Sequence, residues 1–286
     1  MSTTAEKSQA DHLEQINLPG SAFHYSYARL PAEQLTQINA LFALHQQLSS
    51  VATETSDKNV AYTKLHWWSE EIERLKNQQA RHPVTRQLSN QRIANQHPEL
   101  LEQLLGAAKM DFDYDSYPNY LTLCQYFDAG MGSLMTGISY ILGEVKSEFG
   151  LHLGRAIAQT QRLQRIATDL HSGRLYTPIN DLKKFALDAE SFRAQSHPVK
   201  NQELIDFTIA RCQSEFTTAF NSLDQKNASS QQANLAYARI HLALLKKIQS
   251  NGLKCMQYRL ELSPLRKMFI ARLTNPDKVI NQDKHE

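Results

Sequence analysis

The chain predicts an all-α fold, a single bundle of roughly ten or more helices, on three observations. Apolar residues recur at steps of three and four along segment after segment, the spacing that lines one face of a helix. No stretch of useful length alternates apolar and polar residues as a half-buried strand does, and no repeat is visible. With 286 residues, 41% of them hydrophobic, the chain can bury about three-quarters of its unfolded surface around one core.

The elements follow in order. Residues 1–20 form a polar, flexible lead without the apolar stretch of a secretory signal. Pro31 opens a helix that carries Leu35, Ile38, Phe42 and Leu48. Asp57 caps the next, whose face is Ala61, Leu65, Trp68, Ile72 and Leu75, with Trp67 turned toward a second neighbour. A third helix begins at Asn90 or Pro98 and stops at Gly106, leaving Asp111-Phe-Asp-Tyr-Asp115 as an acidic, aromatic loop before Pro118. Helix resumes at Tyr120 and continues through Met131, Leu134, Ile138 and Ile141 to Gly143. Between the two stretches, Gly130 and Gly132 mark a kink or a close backbone approach.

A helix from His152 to Leu170 ends before Ser172-Gly173, and Thr177-Pro178 with Asn180-Asp181 punctuate a loop and a short helix. Two long helices, 201–223 and 229–249, are joined by a polar connection and closed by Asn251-Gly252. Pro264 to Leu273 is a last helix before a polar tail over 274–286. One domain thus spans residues 21–273.

Several functions are excluded by composition. A net charge of +2 offers no concentrated basic face for nucleic acid. A mean hydropathy of -0.49 and the lack of an apolar run near 18 residues argue against a transmembrane span. Cys124, Cys212 and Cys255 are odd in number and far apart, which suits a reducing, cytoplasmic compartment and neither a disulfide framework nor a thiolate metal site. No histidine pair has metal-ligand spacing, and Ser133 and Ser139 lack a nucleophile elbow. The polar constellation that stands out is Gln161, Arg165 and Asp169, one helix face at steps of four, with Arg162 beside it.

One set of segments has a shared order and spacing: Ser21-Ala-Phe-His-Tyr-Ser-Tyr-Ala-Arg-Leu-Pro31, Ala40-Leu-Phe-Ala-Leu44, Leu65-His-Trp-Trp68 with Glu71 and His82-Pro83, and Gly106 with Asp111. Tyr126 with Ala129-Gly-Met-Gly132, Gly173-Arg-Leu-Tyr-Thr-Pro178, and Ile248, Gly252, Tyr258-Arg259, Leu262-Ser263 and Lys267 complete the set. Together these segments resemble the squalene/phytoene synthase family, and the resemblance covers residues 21 to 273. It implies an isoprenoid-synthase-like bundle with a central cavity, in which two facing helices carry DxxxD-type motifs that hold Mg²⁺ and prenyl diphosphates. It places the first motif at positions 49–53, where this chain has Ser49, Ser50, Val51, Ala52 and Thr53, with Gln46 for the preceding arginine. It places the second at 165–169, where Arg165 replaces the first aspartate and Gln161 and Gln164 replace the asparagine and arginine ahead of it. Asp169 alone remains of the four principal aspartates. Arg174, Tyr176, Arg259 and Lys267 match positions near the diphosphate end or its flap, as contacts for a ligand or a diphosphate.

A guanidinium at a metal position repels the ion and satisfies the remaining carboxylate. The pattern of loss resembles the family's mitochondrial assembly factor for respiratory complex I, which keeps the fold without intact aspartate motifs. The resemblance therefore implies a non-catalytic protein with no metal and no cofactor, binding an isoprenoid, a lipid or a protein partner, in a role such as respiratory-complex assembly. The alternative is a Mg²⁺-dependent head-to-head prenyltransferase condensing two prenyl diphosphates, with Glu54 or Asp111 turned inward as substitute ligands. The non-catalytic reading predicts an apolar tunnel between the helices bearing Phe42 and Ile138, with Arg165 paired to Asp169 at its mouth. The stretch Met268-Phe-Ile-Ala271, flanked by Arg266, Lys267 and Arg272, predicts peripheral contact with an anionic inner-membrane surface.

Overall fold

The computed structural model describes residues 18–55, 57–89, 91–143 and 145–282, so most of the N-terminal lead lies outside the described residues. The helices are α1 (Ala22–Tyr27), α2 (Ala32–Glu54), α3 (Lys58–Lys76), α4 (Pro83–Ser89), α5 (Arg92–Gln96), α6 (Pro98–Asp113) and α7 (Tyr120–Phe127). A π-helical turn, Asp128–Gly132, leads into α8 (Ser133–Leu142), followed by α9 (Ser147–His171), α10 (Ile179–Lys184) and α11 (Ala189–Arg193). The chain closes with α12 (Pro198–Ser222), α13 (Gln232–Asn251), α14 (Pro264–Leu273) and α15 (Pro276–Gln282). Among the described residues the β-type pairing is one isolated bridge, Ser116 to Leu175. No helix among them is long and apolar enough to cross a membrane.

Helix α9 runs through the middle of the bundle and packs on α12, α8, α13 and the π-turn. Its approach to α8 depends on two glycines one turn apart. A β-carbon on Gly154 would overlap the Met131 carbonyl and lie 2.5 Å from the Gly132 Cα, and one on Gly150 would lie 2.6 Å from the Thr136 backbone nitrogen. The close approach expected at this glycine pair is met at Gly132, which faces Gly154 of α9, whereas Gly130 faces Ala107 of α6. The extra residue in the π-turn supplies the accompanying irregularity.

On α3, Ala61, Leu65, Trp68, Ile72 and Leu75 are all buried, and the Asp57 side chain accepts from the Asn59 N–H as its cap. Glu71 sits among them with no exposed surface. Its Oε1 accepts from the backbone N–H groups of Arg81 and His82, each at 2.7 Å, and from the Thr85 hydroxyl, while Arg74 Nε donates to Oε2 at 2.8 Å. The carboxylate thus ties the turn before α4 to α3. Burial pushes its pKa up, but the bonds from Thr85, His82, Arg74 and Arg81 outweigh it and hold the group below the usual carboxylate range. That contribution is complete above the unfolded pKa and is lost as pH falls through the depressed folded value. Glu71→Gln, which points an amide donor at donors, is expected to cost about 2 kcal/mol at neutral pH and less in acid, read as urea midpoints.

Three expectations need correction. Helix α6 does not stop at Gly106; it runs to Asp113, so Asp111 and Asp113 are helical and Asp111 is buried. Gly106 costs about 1 kcal/mol of propensity, which the burial of Leu101, Leu104, Leu105, Ala107 and Ala108 around it outweighs. The segment beyond residue 273 is not simply a polar tail: α15 docks Val279 and Ile280, both buried, against α12 and α13. Ile138 lines no tunnel but is fully buried in the core.

His241 on α13 is also buried, and its Nδ1–H donates to the Tyr237 carbonyl at 2.9 Å. Burial lowers its pKa to about 4, helped by Lys267 and opposed by the Tyr237 bond. A base held neutral stabilises the fold above pH 6.5, and this is lost as pH falls from 6.5 through 4 while the unfolded chain takes up the proton. The loss is expected to reach roughly 2 to 3 kcal/mol. A urea midpoint that falls no faster with pH in the parent than in His241→Gln would refute it.

Candidate functional site: an arginine-rimmed cavity

A cavity of about 420 Å³ opens between α2, α6, α7 with its π-turn, and α9. Helical periodicity explains who lines it. Phe42, His45, Gln46 and Ser49 come from one face of α2, and Leu104, Ala107, Ala108 and Asp111 from one face of α6, both at steps i, i+3, i+4, i+7. Tyr126, Phe127, Gly130 and Met131 come from α7 and the π-turn; α9 adds Ala158, Gln161, Arg162, Gln164 and Arg165; Tyr237 and Arg259 complete the wall. The lining divides into an apolar part, centred on Phe42, Leu104, Phe127 and Met131, and a polar part dominated by Arg162, Arg165 and Arg259.

The polar part is organised around Arg162 and Asp111. The Arg162 guanidinium lies over the Tyr176 ring, its carbon 3.7 Å from the centroid, and its Nη2 donates to the Tyr126 hydroxyl at 2.7 Å. Tyr126 in turn donates to Asp111 Oδ2 at 3.1 Å, and Tyr176 to Oδ1 at 2.8 Å. Arg174 Nη1 reaches the same Oδ1 at 3.4 Å and the Tyr176 hydroxyl at 3.2 Å. Segment 174–180 is held there by backbone bonds from Leu175 N to Asp115 O at 3.1 Å and from Ile179 N to Tyr117 O at 2.9 Å. Burial alone would lower the pKa of Arg162, but the oxygens of Tyr126 and Tyr176 and the carboxylates of Asp111 and Asp169 raise it, so the guanidinium stays charged.

Asp169 is buried, and among the described residues its Oδ2 makes no hydrogen bond, meeting Arg162 Nη1 as an ion contact at 3.5 Å. Burial raises its pKa, against the lowering influence of Arg162 and then Arg165. The expected Arg165–Asp169 pair is therefore replaced by Arg162–Asp169. Arg165, one turn from Asp169, is exposed at the mouth and acts on the carboxylate only at longer range. Because Arg165 is exposed, Arg165→Asp is expected to change stability by no more than about 1 kcal/mol, with thermal unfolding as the check.

The other candidates separate. Gln46, Ser49 and Gln161 line the cavity. The Ser49 hydroxyl donates back to the His45 carbonyl at 2.8 Å and that of Ser50 to the Gln47 carbonyl at 3.1 Å, so both bond back onto their own helix. Gln164 spends its amide on the Leu260 carbonyl at 2.8 Å. The side chains of Thr53 and Glu54 lie outside the described residues. Arg174 and Tyr176 belong to the Asp111 network, and Arg259 lines the cavity while pairing with Glu261 at 2.8 Å. Lys267 instead donates to the Gly20 carbonyl at 3.2 Å, away from the cavity lining. A residue not singled out beforehand is His45, whose pKa is lowered to about 4 by burial and by Arg162, and Tyr126, noted only within a family segment, bridges Arg162 and Asp111. Arg162 and Asp111 were visible as chemistry but not as partners.

This donor set does not fit Mg²⁺, which takes near-octahedral oxygen ligands and binds through carboxylates. The facing positions carry amides, hydroxyls and a guanidinium. Asp111 does turn inward, but both its oxygens are taken by tyrosines and Arg174, and Asp169 faces Arg162. Among the described residues no three His, Cys, Asp or Glu side chains converge as metal ligands would.

A model of the squalene/phytoene synthase family matches residues 16–266. The phytoene synthase of Mycobacterium bovis is 22% identical over 258 residues, which span 87% of this chain and 84% of that one. The presqualene diphosphate synthase of Rhodopseudomonas palustris is 21% identical over 255 residues, 88% of this chain and 91% of that one. Squalene synthase HpnC from Alicyclobacillus acidocaldarius, a solved structure, superposes with a TM-score of 0.72 at 21% identity, over 87% of this chain and 94% of its own. The backbone is thus the all-α isoprenoid synthase fold, and with the family model spanning most of its length the chain belongs to the squalene/phytoene synthase family.

Proposed function

We propose that this chain is a non-catalytic member of its family, whose cavity receives an isoprenoid or related lipid and holds its anionic head on arginines in place of a metal. The observation that carries the reading is the Arg162 network. Asp111, the carboxylate in the cavity lining, is held by Tyr126, Tyr176 and Arg174, and Asp169, behind Arg162, meets that guanidinium, so among the described residues no pair of carboxylates is free to bridge a metal to a diphosphate. The apolar lining suits a hydrocarbon chain, and the guanidinium groups of Arg162, Arg165 and Arg259 suit a phosphate or carboxylate head by charge-assisted hydrogen bonds. His45, held neutral, adds no charge near neutral pH. The competing reading, Mg²⁺-dependent head-to-head condensation, draws on the relatives named as synthases and requires Asp111 and Asp169 to leave their present partners.

Calorimetry with farnesyl diphosphate separates the two. The expected result is binding of equal affinity with Mg²⁺ and with EDTA, and no pyrophosphate release on prolonged incubation. Pyrophosphate release that depends on Mg²⁺ would overturn the non-catalytic reading, and failure of any prenyl diphosphate or lipid anion to bind would overturn the cavity assignment.

A further inference from the structure

Helix α14 breaks the usual rule for a surface helix, which buries its apolar stripe and keeps its outer face polar. Its inner side, with Met268, Ile270 and Ala271 partly buried, packs on α13 and α1. Its outer side carries a second apolar stripe, Leu265, Phe269 and Leu273 at steps of four, which are 65%, 56% and 73% exposed. At about 100° per residue, Arg266 and Arg272 fall on the two flanks of that stripe, and both are exposed. No acidic residue occurs between Glu261 and Asp277, and Glu261 is paired with Arg259. Leu18, 53% exposed, lies close by, since Gly20 packs against Pro264 and accepts from Lys267. Tyr258 adds a 49% exposed aromatic ring on the segment that carries Arg259 to the cavity.

We propose that the outer face of α14 seats the protein on an anionic lipid bilayer, with Leu265, Phe269 and Leu273 in the acyl boundary and Arg266 and Arg272 at the phosphates. Membrane-surface helices combine these two features, exposed apolar side chains and flanking cations. The residues differ from the expected stretch: only Phe269 of Met268–Ala271 faces outward, and Lys267 is turned inward. Charge selects the bilayer over a second copy of the chain. A two-fold pairing across this stripe would set Arg266 and Arg272 against the same basic residues of the other copy, with no carboxylate to meet them. The inner face of α14 packs on α13, the helix that also supplies Tyr237 to the cavity wall.

Flotation of the full chain with phosphatidylcholine vesicles, with and without phosphatidylglycerol, tests this. The parent is expected to float with the anionic vesicles and to be released by salt. Arg266→Gln with Arg272→Gln is expected to weaken binding about fivefold per charge, roughly 25-fold for the pair. The triple variant Leu265→Ser, Phe269→Ser, Leu273→Ser is expected to remain in the unbound fraction with an unchanged melting temperature, since these side chains are exposed in the fold. The proposal fails if the parent does not float, or if the triple variant floats as well as the parent. It also fails if the parent is a dimer in solution that the triple variant dissociates, which would make the stripe an interface between copies.

Discussion

Replacing Arg162 with methionine is expected to cost about 4 kcal/mol of stability near neutral pH and to abolish anion binding in the cavity, read by urea unfolding and by calorimetry. Methionine keeps much of the chain's bulk but removes the stack on Tyr176, the bond to Tyr126 and the cation in contact with Asp169. Asp169 would then be a buried carboxylate whose folded pKa, already raised by burial, rises further. A carboxylate in that position costs stability above the folded pKa, and the cost disappears as pH falls through it and the group takes up a proton. The defect of Arg162→Met should therefore shrink in acid. Arg162→Lys restores a charge but not the planar stack, and should recover only part of both properties. A methionine variant as stable as the parent at pH 7 would show that the network contributes little to holding α6, α7 and α9 together.

Gly154→Ala is expected to destabilise by about 3 to 5 kcal/mol, at or beyond the upper end for overpacking, because the added methyl meets backbone. The Met131 carbonyl and Gly132 Cα and N occupy the space it needs. Neither can rotate away as a side chain would, so α9 must separate from the π-turn. That turn carries Gly130 and Met131 of the cavity wall, so ligand affinity should fall together with stability. Gly106→Ala is the control. An added β-carbon there meets no atom within 4 Å, and the change should stabilise α6 by up to about 1 kcal/mol. Chemical denaturation of the pair reads both signs.

Some parts of the fold follow from local chemistry alone. The buried stripe of α3, the Asp57 cap and the bounds of α14 match the sequence pattern because each depends on neighbours within a turn or two. The end of α6 does not, since a glycine's local cost competes with burial against elements far along the chain. Glycines 150 and 154 show the same limit. Their spacing is visible, but only the opposing backbone of residues 131–136 gives it meaning.

For the site, the sequence by itself determined composition: which positions carry carboxylates, and that hydroxyls, amides and a guanidinium occupy Ser49, Ser50, Gln161, Gln164 and Arg165. Tertiary structure decided the pairing. Arg162 and Arg165 both share a helix face with Asp169, and spacing favours Arg165, one turn away. The rings of Tyr126 and Tyr176, brought from α7 and from the segment before α10, give Arg162 a stack and a hydrogen bond, and so draw it inward while Arg165 stays at the mouth. The same applies to α14, where apolar residues occur all round the helix and only packing on α13 and α1 decides that Leu265, Phe269 and Leu273 are the ones left facing out. Helical periodicity is a property of about four neighbouring residues, whereas the choice between two equivalent arginines, or two apolar faces, is made by atoms that the chain brings together from a distance.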